Sequence, residues 1–292
     1  MALEINHQTA TQSCNFGYTD QLNDYLEFRM AEPTFNLHTE NFIFTTESSI
    51  QVFVQGLGPL LVILPSLGRG VEDMFEFSNL LANTGFRSCL INPRGIGESK
   101  GDLENLTLNQ LADDVASVIE NLTAGPAFVA GHAFGNWVAR NLATRRPDLV
   151  SRVALLAAAH KEFPIELREQ IDICMNSELD AESRIRALKL AFFSEGNDPS
   201  TWLEGWYPKV AVAQRHAASA CPRSEWWHAG TAPILDLQGD ADPFAPFATA
   251  TDLQNELGLD RVTVIRIPQT SHALIPENPA AVSRALAEFF IQ

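Results

Sequence analysis

The chain has 292 residues, and 20 Lys+Arg against 36 Asp+Glu give it a formal net charge of −16. A hydrophobic share of 46% is enough for a sizeable core, which excludes a chain that is mainly disordered. An acidic surface repels phosphate backbones and anionic headgroups, so neither nucleic acid nor a membrane surface is expected as a partner. The length admits two ordinary domains or one large α/β domain with an insertion.

Residues 1–38 are polar and acidic and read as an N-terminal extension, with a short helical pattern over 25–30. They lack the basic and apolar regions of a secretory leader, so none is expected. No run approaches the roughly 18 apolar residues of a membrane span. Cys14, Cys89, Cys174 and Cys221 are widely spaced, which predicts free thiols in a reducing, cytoplasmic setting.

Alternating sequence over 41–46 and 50–55 predicts strands with one solvated face. After the break Gly56-Leu57-Gly58-Pro59, the continuous run LLVIL at 60–64 predicts a strand buried on both faces. A helix over 71–83, a strand over 88–91 and a helix over 108–122 follow. Next come a strand over 126–130, a helix over 136–145 and a strand over 153–157. The scheme resumes with a strand over 234–238, a helix over 246–257, a strand over 262–267 and a helix over 279–290. Alternation of this kind predicts an α/β fold, an eight-stranded and mostly parallel sheet with helices on both faces. Residues 161–230 show no strand signal and read as an inserted helical cap, leaving 39–160 and 231–292 as the core. Four of the five Trp, namely Trp202, Trp206, Trp226 and Trp227, fall in that insertion.

Ligands of open parallel sheets bind beyond the carboxyl ends of the strands, so the loops there carry the chemistry. After 126–130 comes Gly131-His132-Ala133-Phe134-Gly135-Asn136, leading into a helix. It has the form of the nucleophile elbow G-x-S-x-G, with Ala133 where the Ser would stand. After 60–64 comes Pro65-Ser66-Leu67-Gly68-Arg69, a loop placed to give one oxyanion-binding N–H; the donors are assigned to Leu67 and Phe134. After 234–238 comes Gly239-Asp240-Ala241-Asp242-Pro243, and after 262–267 comes Ser271-His272-Ala273. The order elbow, acid, His is that of one convergent triad type.

With these pieces in place, residues 40–292 resemble the α/β-hydrolase fold superfamily, in a cap-bearing form. The loop Asn92-Pro93-Arg94-Gly95-Ile96-Gly97-Glu98-Ser99 adds to the likeness, with Asn92 where Asp is usual. The resemblance implies His272 as general base and selects Asp242 over Asp240 as its acid. The departures are Ala133 and the pair Pro65-Ser66, where His-Gly is commoner.

Three readings of Ala133 stay open. It is an introduced substitution that silences a Ser enzyme acting on small esters, lactones or related carbonyl compounds. Alternatively it is native, and His272–Asp242 activates water or takes a substrate proton without a covalent intermediate, as in lyases and cofactor-free enzymes of this fold. Some hydrolase-like sequences resemble this one in G-H-A-F-G-N and over 192–208, and carry Ala at that position. In the third reading the chain binds a small molecule and performs no chemistry.

The substrate expected is small and apolar, in a pocket lined by Ser66, His132, Trp202, Trp206, Tyr207 and Trp227. Arg69 is read as a surface residue. No dinucleotide or phosphate-loop pattern and no metal-ligand spacing occurs, so no cofactor and no metal are expected. The oligomeric state is left open, with a homodimer among the options.

Overall fold

The structure, a computed structural model, describes residues 38–158, 161 and 165–292. The expected N-terminal extension, apart from His38, and Cys14 lie outside these residues.

The chain enters the sheet through an antiparallel hairpin, β1 (Thr39–Phe44) and β2 (Ser48–Gln55). The Thr45 hydroxyl closes its turn by accepting the Ser48 N–H at 2.8 Å. Then follow β3 (Leu60–Leu64), α1 (Phe75–Asn83), β4 (Arg87–Ile91), β5 (Lys100–Gly101) and α2 (Leu108–Leu122). Next come β6 (Ala127–His132), α3 (Phe134–Arg145) and β7 (Val150–Leu156). The inserted helices are α4 (Glu166–Met175), α5 (Ala181–Ala191) and α6 (Pro208–Ala220). The chain then returns through β8 (Ile234–Gly239), α7 (Asp252–Leu257), β9 (Val262–Ile267), α8 (Leu274–Glu277) and α9 (Pro279–Ile291).

The strands join one sheet in the order β1-β2-β4-β3-β6-β7-β8-β9, and β5 pairs with β2. From β4 to β9 every pairing on this path is parallel. Among the described residues the sheet therefore has nine strands where eight are expected. The ninth is the two-residue β5, too short to leave a periodic signal.

Every residue of β3 is buried, as its unbroken apolar run requires between two helical layers. One layer packs α2 and α3 on the sheet through Leu111, Val115, Ile119, Val138 and Leu142. The other packs α1 and α9 through Phe77, Leu81, Leu286 and Phe290. Helix α2 starts at a reciprocal cap, in which Thr107 and Gln110 each satisfy the other's backbone N–H. A third cluster joins the insertion (Leu188, Phe192, Trp202) to the loops after β8 and β9 (Phe244, Ala273).

Two predicted helices differ in detail. The helix expected over 246–257 begins as a 3-10 turn at Phe247–Thr249 and restarts at Asp252. The Thr249 hydroxyl bonds the Pro246 carbonyl at 2.8 Å and closes that turn. The helix after β6 starts at Phe134, two residues earlier than expected, because the elbow turns without a linker. Among the described residues no helix is long and apolar enough to cross a membrane.

Candidate active site

The turn between β6 and α3 is built by what its neighbours leave no room for. A Cβ on Gly131 would meet the Gly135 carbonyl oxygen at 2.3 Å, and one on Gly135 would meet the Leu64 carbonyl oxygen at 2.6 Å. Between these two glycines Ala133 takes φ 47° and ψ −111°, a conformation that costs an L residue about 1–3 kcal/mol. Its N–H donates to the Leu156 carbonyl at 2.9 Å, and its own carbonyl accepts the Asn136 N–H at 3.1 Å and the Asn136 side-chain amide. The elbow backbone is complete, and its apex carries a methyl group.

The loops after β8 and β9 bring Asp242 and His272 together. Asp242 is 2% and His272 4% exposed, and Asp242 Oδ2 stands 2.9 Å from His272 Nδ1. The second Asp242 oxygen accepts the Phe244 N–H at 2.8 Å, which fixes the carboxylate plane. With Nδ1–H given to Asp242, the lone pair of His272 lies on Nε2. Asp240 does not share this arrangement; it pairs with Arg266 at 3.0 Å.

His132 is fully buried, and its ring lies 5.8 Å from that of His272. Its Nε2–H donates to the His272 carbonyl at 2.8 Å, while Nδ1 has no partner among the described residues. Burial, with the neighbouring His272 adding to it, pushes the imidazole down to about 3, so the ring is neutral. Among the described residues, no acceptor takes the N–H of Leu67 or of Phe134. Ser66 is buried and its carbonyl accepts the Arg69 N–H at 3.3 Å.

The insertion is stapled to the loop after β3. The Gly68 N–H donates to Gln214 Oε1 and the Gly68 carbonyl accepts the Tyr207 N–H, both at 2.8 Å. Arg69, expected at the surface, is 3% exposed. It bonds Asp73 and the Glu204 carbonyl at 3.0 Å each, and its guanidinium lies 4.4 Å and 4.7 Å from the Trp202 and Trp206 ring centroids. Two indoles from distant positions, and the carboxylate of Asp73 four residues on, draw it inward.

The Trp cluster divides. Trp202 is buried against His132, with ring centroids 5.9 Å apart, and Trp206 donates its indole N–H to the Trp202 carbonyl at 2.6 Å. Trp226 stacks on Trp137 instead. Trp227, expected beside His272, lies on a separate cleft. Its ring faces Arg140 at 4.1 Å and its N–H donates to Glu256 at 2.9 Å, and these two contacts hold it there. Among the described residues, the rings that reach His272 besides His132 are Phe244, at 4.4 Å, and Phe192, at 5.6 Å. Phe192 opens the stretch 192–208 and Phe244 follows the acid turn by two positions, yet neither reads as a residue of the site in the sequence.

Glu277 was also silent in the sequence. It accepts the Ser271 N–H at 2.5 Å and the Ser194 N–H at 2.7 Å, tying the His272 loop to the insertion. Among the described residues no group of three or more His, Cys, Asp or Glu could hold a metal ion.

An α/β sheet of this order with these loops defines the α/β-hydrolase class. The Alpha/beta hydrolase family model matches residues 53–285, and the chain belongs to that family. The AB hydrolase superfamily protein YisY of Bacillus subtilis (strain 168) is 27% identical over 264 residues, which are 84% of this chain and 97% of that protein. The mitochondrial palmitoyl-protein thioesterase ABHD10 of Homo sapiens is 32% identical over 134 residues, 41% of this chain and 42% of its own. An esterase from Exiguobacterium antarcticum has the same fold, with a TM-score of 0.73 at 16% identity over 87% of this chain and 100% of the esterase. Hydrolases are thus the company this chain keeps by sequence and by fold.

Proposed function

We propose that this chain is an enzyme acting on a small, apolar or weakly polar carbonyl compound, an ester, thioester or lactone, without a covalent acyl-enzyme. In this reading His272 Nε2 takes a proton from water as the water oxygen bonds to the substrate carbonyl carbon. The Leu67 and Phe134 amides hold the oxyanion that forms. When the bond to the leaving oxygen or sulfur breaks, the imidazolium returns the proton to it, and an acid and an alcohol or thiol depart. Asp242 keeps the His272 ring in the tautomer this needs and stabilises its charged form.

The carrying observation is the Asp242–His272 hydrogen bond, assembled and buried next to an apex that has no nucleophilic oxygen. The apolar rings of Phe192 and Phe244 about His272 support a substrate of low polarity. The thiols of Cys89, Cys174 and Cys221, all free, support a reducing, cytoplasmic setting.

The test is hydrolysis of p-nitrophenyl esters, a thioester and a γ-lactone by the chain, by His272→Ala and by Ala133→Ser. Turnover by the chain that is lost in His272→Ala, with no initial burst and no acyl adduct by mass spectrometry, is the expected result. A second reading, a Ser hydrolase silenced at position 133, is favoured by the strained elbow, whose geometry serves a nucleophile. Activity appearing only in Ala133→Ser, with a burst and an adduct, would overturn the first reading for the second.

A further inference from the structure

Both chain neighbours of His272 are bonded to groups that lead into the insertion. The Ala273 N–H donates to the Phe192 carbonyl at 2.8 Å, and the Phe192 ring lies 5.6 Å from the His272 ring. On the other side, the Ser271 N–H donates to Glu277 Oε2 at 2.5 Å. Glu277 Oε1 accepts the Ser194 N–H at 2.7 Å and the Asn197 side-chain amide at 2.8 Å. The segment 192–197, just beyond α5, thus reaches the residues before and after His272, once directly and once through a carboxylate.

Glu277 ends α8, and its own N–H donates to the Ala273 carbonyl at 3.1 Å, so one helical turn returns the carboxylate to the His272 loop. The turn that leads into that loop is held by the same segment of the insertion. Gln269 takes φ 58°, a left-handed conformation uncommon for a residue with a side chain. Its carbonyl accepts the Ser194 hydroxyl at 2.8 Å and the Asn197 amide at 3.0 Å. A further tie, from His132 to the His272 carbonyl, comes from the elbow. The backbone of His272 is therefore held between the elbow and the insertion, and an ionised carboxylate, a stronger acceptor than a carbonyl, makes the link on the Ser271 side.

We propose that Glu277 is a positioning residue for His272: it transfers no proton in the reaction, and it holds the imidazole in place at the elbow only while the segment 192–197 is docked. The assignment rests on the reading of His272 as the general base, and it makes the insertion part of the machinery rather than a cover. The two ends of the carboxylate are separable by chemistry. In Glu277→Gln the amide keeps its oxygen where two donors converge, at Ser194 and Asn197, and turns its NH2 to the Ser271 N–H, donor against donor. That substitution releases the His272 loop while the insertion stays attached. Asn197→Ala works from the other end, removing a donor that the insertion supplies.

Imidazole nitrogen NMR spectra of the full chain, with His272 assigned through His272→Ala, and amide hydrogen exchange at Ser271 test this without needing turnover. In Glu277→Gln the His272 nitrogen signals should shift, and the Ser271 amide should exchange at least about tenfold faster. Asn197→Ala should shift the His272 signals in the same direction by less, and it carries the test if Glu277→Gln fails to fold. Glu195→Gln, an exposed neighbour losing the same charge, should change neither. With an ester that the chain hydrolyses, Glu277→Gln should lower kcat about tenfold or more and leave KM within about twofold, the pattern of a misplaced base. No turnover by any form, with these shifts present, would keep the role of Glu277 toward His272 and overturn the proposed function instead. His272 signals unchanged in Glu277→Gln or in Asn197→Ala, or a rise in KM with kcat kept, overturns the positioning role, whatever the change in thermal stability.

Discussion

The Nε2–H of His132 donates to the main-chain carbonyl of His272 at 2.8 Å, so a fully buried ring fixes the backbone of the residue whose imidazole Nδ1 faces Asp242. The contact spans 140 positions of sequence and joins the elbow directly to the loop after β9.

That ring carries a pH signature. Its folded value of about 3 lies below the ordinary 6.5, so between these values the unfolded chain binds a proton that the folded chain does not. Stability is therefore lost as pH falls through that window, by an amount on the order of 4–5 kcal/mol if the whole displacement counts. Urea unfolding of His132→Asn from about pH 7 to about pH 4 should show a shallower decline than the parent. An identical decline would mean that other groups account for the acid sensitivity.

Asp242→Asn should lower kcat by about 10²–10⁴-fold while leaving thermal stability nearly unchanged, because the amide still accepts the Phe244 N–H but mis-sets the His272 tautomer. Asp240→Asn, at an exposed ion pair with Arg266, should change either quantity little. Kinetics of the two variants side by side distinguish the two acids, and equal losses would defeat the assignment.

Removing the Arg69 guanidinium leaves the mostly buried Asp73 carboxylate without its cation. Arg69→Met should cost about 3–5 kcal/mol, and adding Asp73→Asn should restore part of it. A double-mutant cycle by chemical denaturation should give a coupling above about 1 kcal/mol; strict additivity would show that the buried pair adds nothing beyond its separate members.

Gly135→Ala should fail to fold or lose about 3 kcal/mol or more, because its Cβ would press on the Leu64 and Pro65 carbonyls at 2.6 and 2.7 Å. Ala133→Gly should do the opposite. Relief of the positive φ outweighs the small loss of buried methyl surface, so a gain of up to about 1 kcal/mol is expected in thermal denaturation.

Much of this was legible in the sequence because it is written locally. The unbroken run of β3, the 3–4 spacing along α2, and the glycines at 131 and 135 each declare their geometry within a few residues. The pieces Gly131–Gly135, Asp242 and His272 could be placed because each follows a strand that could be recognised. What escaped depends on partners far along the chain. Arg69 is buried by Trp202 and Trp206, more than 130 positions away, and no local pattern announces that. Trp227 was drawn from the His272 region by Arg140 and Glu256, again a matter of tertiary neighbours. Phe192 and Phe244 lie in recognised stretches and Glu277 in none, and only the folded loops show that their side chains face His272 or tie its loop down. β5 is two residues long, below what any periodicity can reveal.

At the elbow, the frame is set by Gly131, Gly135, the Leu64 and Pro65 carbonyls and the Leu156 acceptor, and none of these is the apex residue. Backbone shape and chemical identity are thus inherited from different positions. Alanine and serine codons differ by a single base, so one point mutation at position 133 would move a lineage between an apex with a hydroxyl and one without. The scaffold would cross that boundary unchanged, and selection could act on the reaction alone.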